Sequence, residues 1–84
     1  MNRIDLIRYL TDNGCILVRH DKQGYSVIRN VMNGKISGVP KEEYILSATV
    51  CRICKTLDIE SPEGVKSAQA IIDLAHKNHG QKDI

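Results

Sequence analysis

Apolar residues recur at helical spacing in the opening stretch, where Ile4, Leu6, Ile7 and Leu10 fall within one broad arc. The helix is predicted to begin at Asn2, whose side chain can accept from the backbone N–H of Asp5, with Asp5 itself favoured in the positive first turn. Asn13-Gly14 ends it, because glycine can take the left-handed conformation that closes a last turn. From Cys15 to His20 the period falls to two. Cys15 and Leu17 share one face and Ile16 and Val18 the other, which predicts a strand covered in part on both sides. Asp21-Lys22-Gln23-Gly24 is a polar turn, and a second strand from Tyr25 to Met32 puts Val27 and Val31 on one face and Ile28 on the other. Asn33-Gly34 predicts a type I′ hairpin, since both residues tolerate positive φ. A short third strand then runs from Lys35 to Val39 and ends at Pro40.

The stretch from Lys41 to Leu46 reads either as a loop or as a first helical turn. Ser47 follows as a cap, with Val50, Ile53, Cys54 and Leu57 spaced as the apolar side of a second helix. After the linker Asp58-Ile59-Glu60, Ser61-Pro62 is a cap with proline at the first helical position. Val65, Ala68, Ile71, Ile72 and Ala75 form the apolar face of that last helix, Gly80 stops it, and Gln81 to Ile84 is a frayed end. The predicted fold is α+β: helix, three-stranded antiparallel sheet, helix, and an appended C-terminal helix, with the helices on one face of the sheet. That α-β-β-β-α order is shared by small double-stranded-RNA-binding folds, which read nucleic acid by shape and charge.

Composition narrows the chemistry. Eighty-four residues make one domain with a modest core. With no Trp and no Phe, that core must come from Ile, Leu, Val, Ala and Cys. The three tyrosines, Tyr9, Tyr25 and Tyr44, are too few for a platform that stacks single-stranded bases. Charge is uneven: residues 1–57 carry a net +4 and residues 58–84 a net −2. Arg19, Lys22, Arg29, Lys35 and Lys41 cluster around the sheet and its turns, with Arg52 and Lys55 on the exposed side of the second helix. They suit phosphate contact, and they equally suit ordinary solubility. No apolar stretch is long enough to predict a signal peptide or a membrane span. Three cysteines, an odd number, predict no disulfide framework and suit a reducing cytoplasm.

Cys51-Arg52-Ile53-Cys54, with His76 and His79 later, has the superficial look of a zinc set. The cysteines fall inside a helical pattern rather than on a tight turn, and Cys54 lies on its apolar face, where a thiol is a small hydrophobe. The expectation is no metal and no cofactor. A redox dithiol would need a helix N-terminus to favour its thiolate, and the motif is not at one.

Taken in order, Asp5-Leu6-Ile7, Asn13-Gly14-Cys15-Ile16-Leu17-Val18-Arg19, Asn30, Gly34-Lys35, Val39-Pro40 and Ile53-Cys54-Lys55-Thr56-Leu57-Asp58-Ile59 resemble the HicA family. These are the small messenger-RNA-cleaving toxins of bacterial toxin–antitoxin pairs, with a double-stranded-RNA-binding-like fold. The resemblance covers residues 3–59 and divides the chain into a HicA-like unit, 1–60, and an added helix with its tail, 61–84, packed on the same domain. It puts the family's catalytic histidine at Tyr25, five residues before Asn30, and Glu42 follows Lys41 where the family tends to carry a histidine. An imidazole can take a proton from a ribose hydroxyl near neutral pH, whereas a phenol, with an ordinary pKa of about 10, is a poor base.

The resemblance therefore implies an RNA-binding protein of toxin–antitoxin type, an mRNA interferase by descent, with ribonuclease activity doubtful or lost. If catalysis persists, the residues involved are His20 and Tyr25. Phosphate would be met by Arg19, Lys22, Arg29, Lys35 and Lys41. Implied partners are RNA and a HicB-like antitoxin or another protein. The alternative is a catalytically inactive protein-interaction module, a phage or host inhibitor or regulator that uses the same fold. The added helix packs its apolar face on the body or on a second copy, which would make a homodimer.

Overall fold

The computed structural model describes residues 1–65. Its elements follow in the order α1 (Arg3–Asp12), β1 (Cys15–His20), β2 (Ser26–Asn30), β3 (Ile36–Val39) and α2 (Ser47–Thr56). The strands form one antiparallel sheet in the order β1-β2-β3, so the α-β-β-β-α arrangement predicted from the pattern is present. Of the last predicted helix, residues 63–65 are described and helical, and Val65 is buried in the core. Ala68, Ile71, Ile72 and Ala75 lie outside the described residues.

Register explains which side chains are inside. On β2, Ser26, Ile28 and Asn30 are buried while Val27 is half-buried and Arg29 exposed, the alternation of a strand with one covered face. Cross-strand partners share a face, so Cys15 pairs with Asn30 and Val39 with Ser26 on the inward side. Leu6 and Leu10 of α1 and Val50, Ile53 and Cys54 of α2 meet that side, joined by Ile45 and Leu57. Both helices therefore cover the same face of the sheet. Each fully buried Leu, Ile or Val stabilises the fold by about 1.5–3 kcal/mol relative to exposure. Among the described residues, no aromatic ring lies in the buried core.

Strand β1 departs from its predicted pattern. Only Cys15 is buried along it, and Leu17 is 45% exposed instead of sharing that burial. The register slips between Leu17 and Arg19, leaving Val18 as an extra residue, and such a bulge breaks strict alternation. The two hairpin turns differ from each other. In the first, the Asp21 carboxylate accepts from the backbone N–H groups of Gln23 and Tyr25, each at 2.9 Å, and Gly24 takes φ +90°. In the second, the predicted type I′ turn is absent. Gly34 alone of the Asn33-Gly34 pair has positive φ, and its N–H donates to Asn30 O at 2.8 Å while Asn30 N–H donates to Lys35 O at 2.9 Å. This four-residue loop lets Asn33 turn inward, so β2 stops at Asn30, and Val31 and Met32 belong to the loop rather than to the strand.

The predicted caps also differ. Asn2 precedes α1 but makes no side-chain cap bond. The entry to the helix is held by backbone pairing instead: Ile45 N–H donates to Met1 O at 2.7 Å, Arg3 N–H donates to Glu43 O at 2.8 Å, and Asn2 bridges Tyr44. The segment 41–46 is accordingly a loop, not a helical turn. Leu46 stands at the N-cap of α2, with Ser47 its first residue. At the far end Ile59 N–H reaches Cys54 O at 2.8 Å and Asp58 N–H reaches Lys55 O at 3.1 Å, a Schellman closure that puts Asp58 at φ +59°. Glycine serves that role at lower cost, and Gly14 does so after α1, at φ +90°.

Candidate functional site

Strand β1 ends in His20, directly across from Ser26 at the start of β2. Ser26 is fully buried, and its hydroxyl is shared by two side chains. His20 Nδ1 lies 3.2 Å from Ser26 Oγ, and the Arg3 guanidinium donates to the same oxygen through Nη2. Arg3 is the first residue of α1, and its Nε donates to Pro40 O at 3.2 Å. One buried hydroxyl thus joins the first helix, the ends of β1 and β2, and the exit of β3. Lys41 follows Pro40 and lays its stem over the first turn, where a Cβ on Gly24 would lie 3.1 Å from Lys41 Cδ. Asn2, Arg3, Ile4, Lys41 and Glu43 line a pocket of about 270 Å³ beside it.

This arrangement limits the chemistry. Ser26 cannot reach a substrate from a fully buried position, so a Ser–His nucleophile is excluded in this geometry. Its hydroxyl instead engages His20 Nδ1, which leaves Nε2 of an exposed ring for a ligand. If the hydroxyl donates to Nδ1, neutral His20 offers an N–H outward; if Nδ1–H donates to the hydroxyl, it offers a lone pair. Arg3 already donates to Ser26 Oγ, and this competes for the lone pairs that the second alternative needs.

Of the residues singled out from sequence, His20, Lys22 and Lys41 fall at this end of the sheet, Lys22 within the turn over which Lys41 lies. Tyr25 does not join them. Its ring lies over Gly38 on the outward face, where a Cβ at position 38 would sit 3.0 Å from Tyr25 Cδ2. His20 and Tyr25 are therefore turned to opposite faces of the sheet. Arg19 pairs with Val27 and Arg29 with Ile16 and Ile36, which places both arginines outward on the face away from α1 and α2. Lys35 sits in the second hairpin loop at the other end. None of these five basic side chains is held by a hydrogen bond or ion pair to another described residue.

Asn30 has a structural task. It is buried, donates from Nδ2 to Leu57 O at 2.8 Å and accepts from Met32 N–H at 2.9 Å. Asn33 Nδ2 adds a second donor to Leu57 O at 3.2 Å, so the hairpin loop caps the C-terminus of α2. Arg3 and Ser26 were not among the residues picked from sequence. The available signal was phase: Ser26, Ile28 and Asn30 share the inward side of one strand, and a polar residue in that phase needs a partner.

The cysteines are free, with Cys15 and Cys54 buried. Burial pushes the Cys54 thiol up to about 11, the Cys51 and Cys15 thiols add to the rise, and a hydrogen bond with Ser61 opposes it. Burial likewise raises Cys15. A thiolate ligand is disfavoured at both. Among the described residues no group of three or more His, Cys, Asp or Glu side chains could hold a metal ion, and His76 and His79 lie outside them. Among the same residues no helix is long and apolar enough to cross a membrane.

No family model, curated protein or solved structure matches this chain.

Proposed function

We propose that this is a HicA-like RNA-binding protein of toxin–antitoxin type, acting in the cytoplasm beside a HicB-like antitoxin or another protein partner, with its ribonuclease activity doubtful or lost. The observation that carries the reading is the group at the turn end of the sheet. A buried serine holds Arg3 and an exposed His20 together, and two uncommitted lysines, Lys22 and Lys41, stand at the same end. Cations grouped in this way suit a phosphodiester backbone, which dominates affinity for nucleic acid and carries little sequence information. The helix, meander, helix order supports a partner recognised by shape.

Loss of cleavage follows from what faces that group. His20 is the one imidazole among the described residues, and Tyr25, at the family's histidine position, is turned to the other face. A lone acid–base group without a second partner leaves one of the two proton transfers of phosphodiester cleavage unassisted.

A gel-shift with a base-paired RNA hairpin at several salt concentrations tests the reading. Binding should weaken as salt rises, and Lys22→Ala with Lys41→Ala should lower the slope by about two, one per phosphate contact. No binding at low salt, or binding indifferent to both changes, overturns it. Incubation of wild type with the same hairpin should give no cleavage above buffer, and cleavage abolished by His20→Ala would show that the activity survives.

A further inference from the structure

We propose that the outward face of the sheet, remote from the His20 group, docks an acidic amphipathic segment of another protein. The face consists of two cross-strand rows. Ile16, Arg29 and Ile36 make one; Arg19, Val27 and Gly38, with the Tyr25 ring over the glycine, make the other. Each row sets one guanidinium among apolar groups. Ile16 is 43% exposed, Ile36 55% and Tyr25 41%, because α1 and α2 both pack on the opposite face. Neither guanidinium has a partner among the described residues, and the three strands contain no Asp or Glu. Exposed apolar groups set side by side with unpaired charge of one sign are the combination that interaction surfaces use.

Charge selects the occupant. A second copy docked face to face would bring four arginines together with no carboxylate between them. The chain's own stretch 66–84 carries three lysines against two aspartates, so its net charge has the same sign as the face. RNA would satisfy the arginines but leave Ile16, Val27 and Ile36 facing a polar backbone, with a single aromatic for stacking. A protein segment that alternates aliphatic side chains with carboxylates satisfies both rows at once. Its carboxylates can take bidentate bonds from Arg19 and Arg29, and its aliphatic groups can cover the isoleucines.

The full chain, labelled with nitrogen-15, is titrated with a synthetic peptide alternating leucine and glutamate, and with its lysine counterpart. Saturable shifts are expected at Ile16, Val27, Arg29 and Ile36 with the glutamate peptide alone. Arg29→Glu should weaken that binding by about tenfold or more and transfer the preference to the lysine peptide. Arg29 is exposed, so the variant should keep the wild-type amide spectrum, and Arg19→Glu gives an independent second reading. Shifts confined to the helices, equal binding of both peptides, or no shift up to about 1 mM would overturn the proposal. Displacement of the glutamate peptide by the RNA hairpin would reassign the face to nucleic acid, and dimerisation strengthened by Arg29→Glu would reassign it to a second copy. RNA binding at the His20 group is measured by the Lys22 and Lys41 changes, so either idea can fail alone.

Discussion

Ser26 and Asn30 sit on the same face of β2, on either side of Ile28, and both are buried polar residues serving opposite purposes. Asn30 spends its amide on backbone: the Leu57 carbonyl and the Met32 N–H. Ser26 spends its hydroxyl on two charged or titratable side chains, Arg3 and His20, the second exposed. The difference is what remains when each is removed. Truncating Asn30 strips groups at the end of a helix that packing holds in place. Truncating Ser26 releases side chains that can turn to water. One residue fixes the fold, and the other fixes the orientation of a site.

Ile28 sets the scale for that contrast. Ile28→Ala should cost about 2–4 kcal/mol, since the side chain is fully buried between the two polar residues, and urea unfolding measures it. Asn30→Ala should cost about 1–3 kcal/mol, because buried amide partners lose their bonds. Asn33 also donates to Leu57 O, so Asn33→Ala alone should cost less and the double change more than the sum. Ser26→Ala should cost about 1 kcal/mol or less. Its signature is spectroscopic: the nitrogen-15 shifts of the His20 ring should move toward the mixture of tautomers of a free imidazole. A Ser26→Ala penalty matching that of Asn30→Ala, with an unchanged His20 ring, would erase the contrast.

The smallest effect has the opposite sign. Asp58 follows the carbonyl that Asn30 and Asn33 cap and holds φ +59°, a conformation that costs a side-chain-bearing residue energy. Asp58→Gly should stabilise the protein by about 0.5–1 kcal/mol, read as a higher urea midpoint with an unchanged slope. A loss of stability would mean that the Asp58 side chain contributes more than its backbone costs.

The architecture was legible because the period changed twice along the chain, from helical to alternating at Cys15 and back near Val50. The turns were less so. Asn33-Gly34 has the composition of a tight hairpin, yet Asn33 is drawn to Leu57, 24 residues away, and the loop opens to four residues. The site was legible only in part for the same reason. His20 and its turn are local, but Arg3 meets Ser26 across 23 residues and Pro40 across 37, and no local pattern encodes such meetings. The bulge at Val18 left no mark in composition either.

That bulge has a consequence for the protein at high concentration. Ile16, Leu17 and Val18 form an apolar run on an edge strand, the kind of segment from which intermolecular sheets grow. Growth needs a neighbour to add in unbroken register along the edge. One surplus residue in the middle of β1 puts the two halves of the strand out of step, so a straight incoming strand can match one half at a time. Deleting Val18 would restore the register and, with it, an uninterrupted template for aggregation.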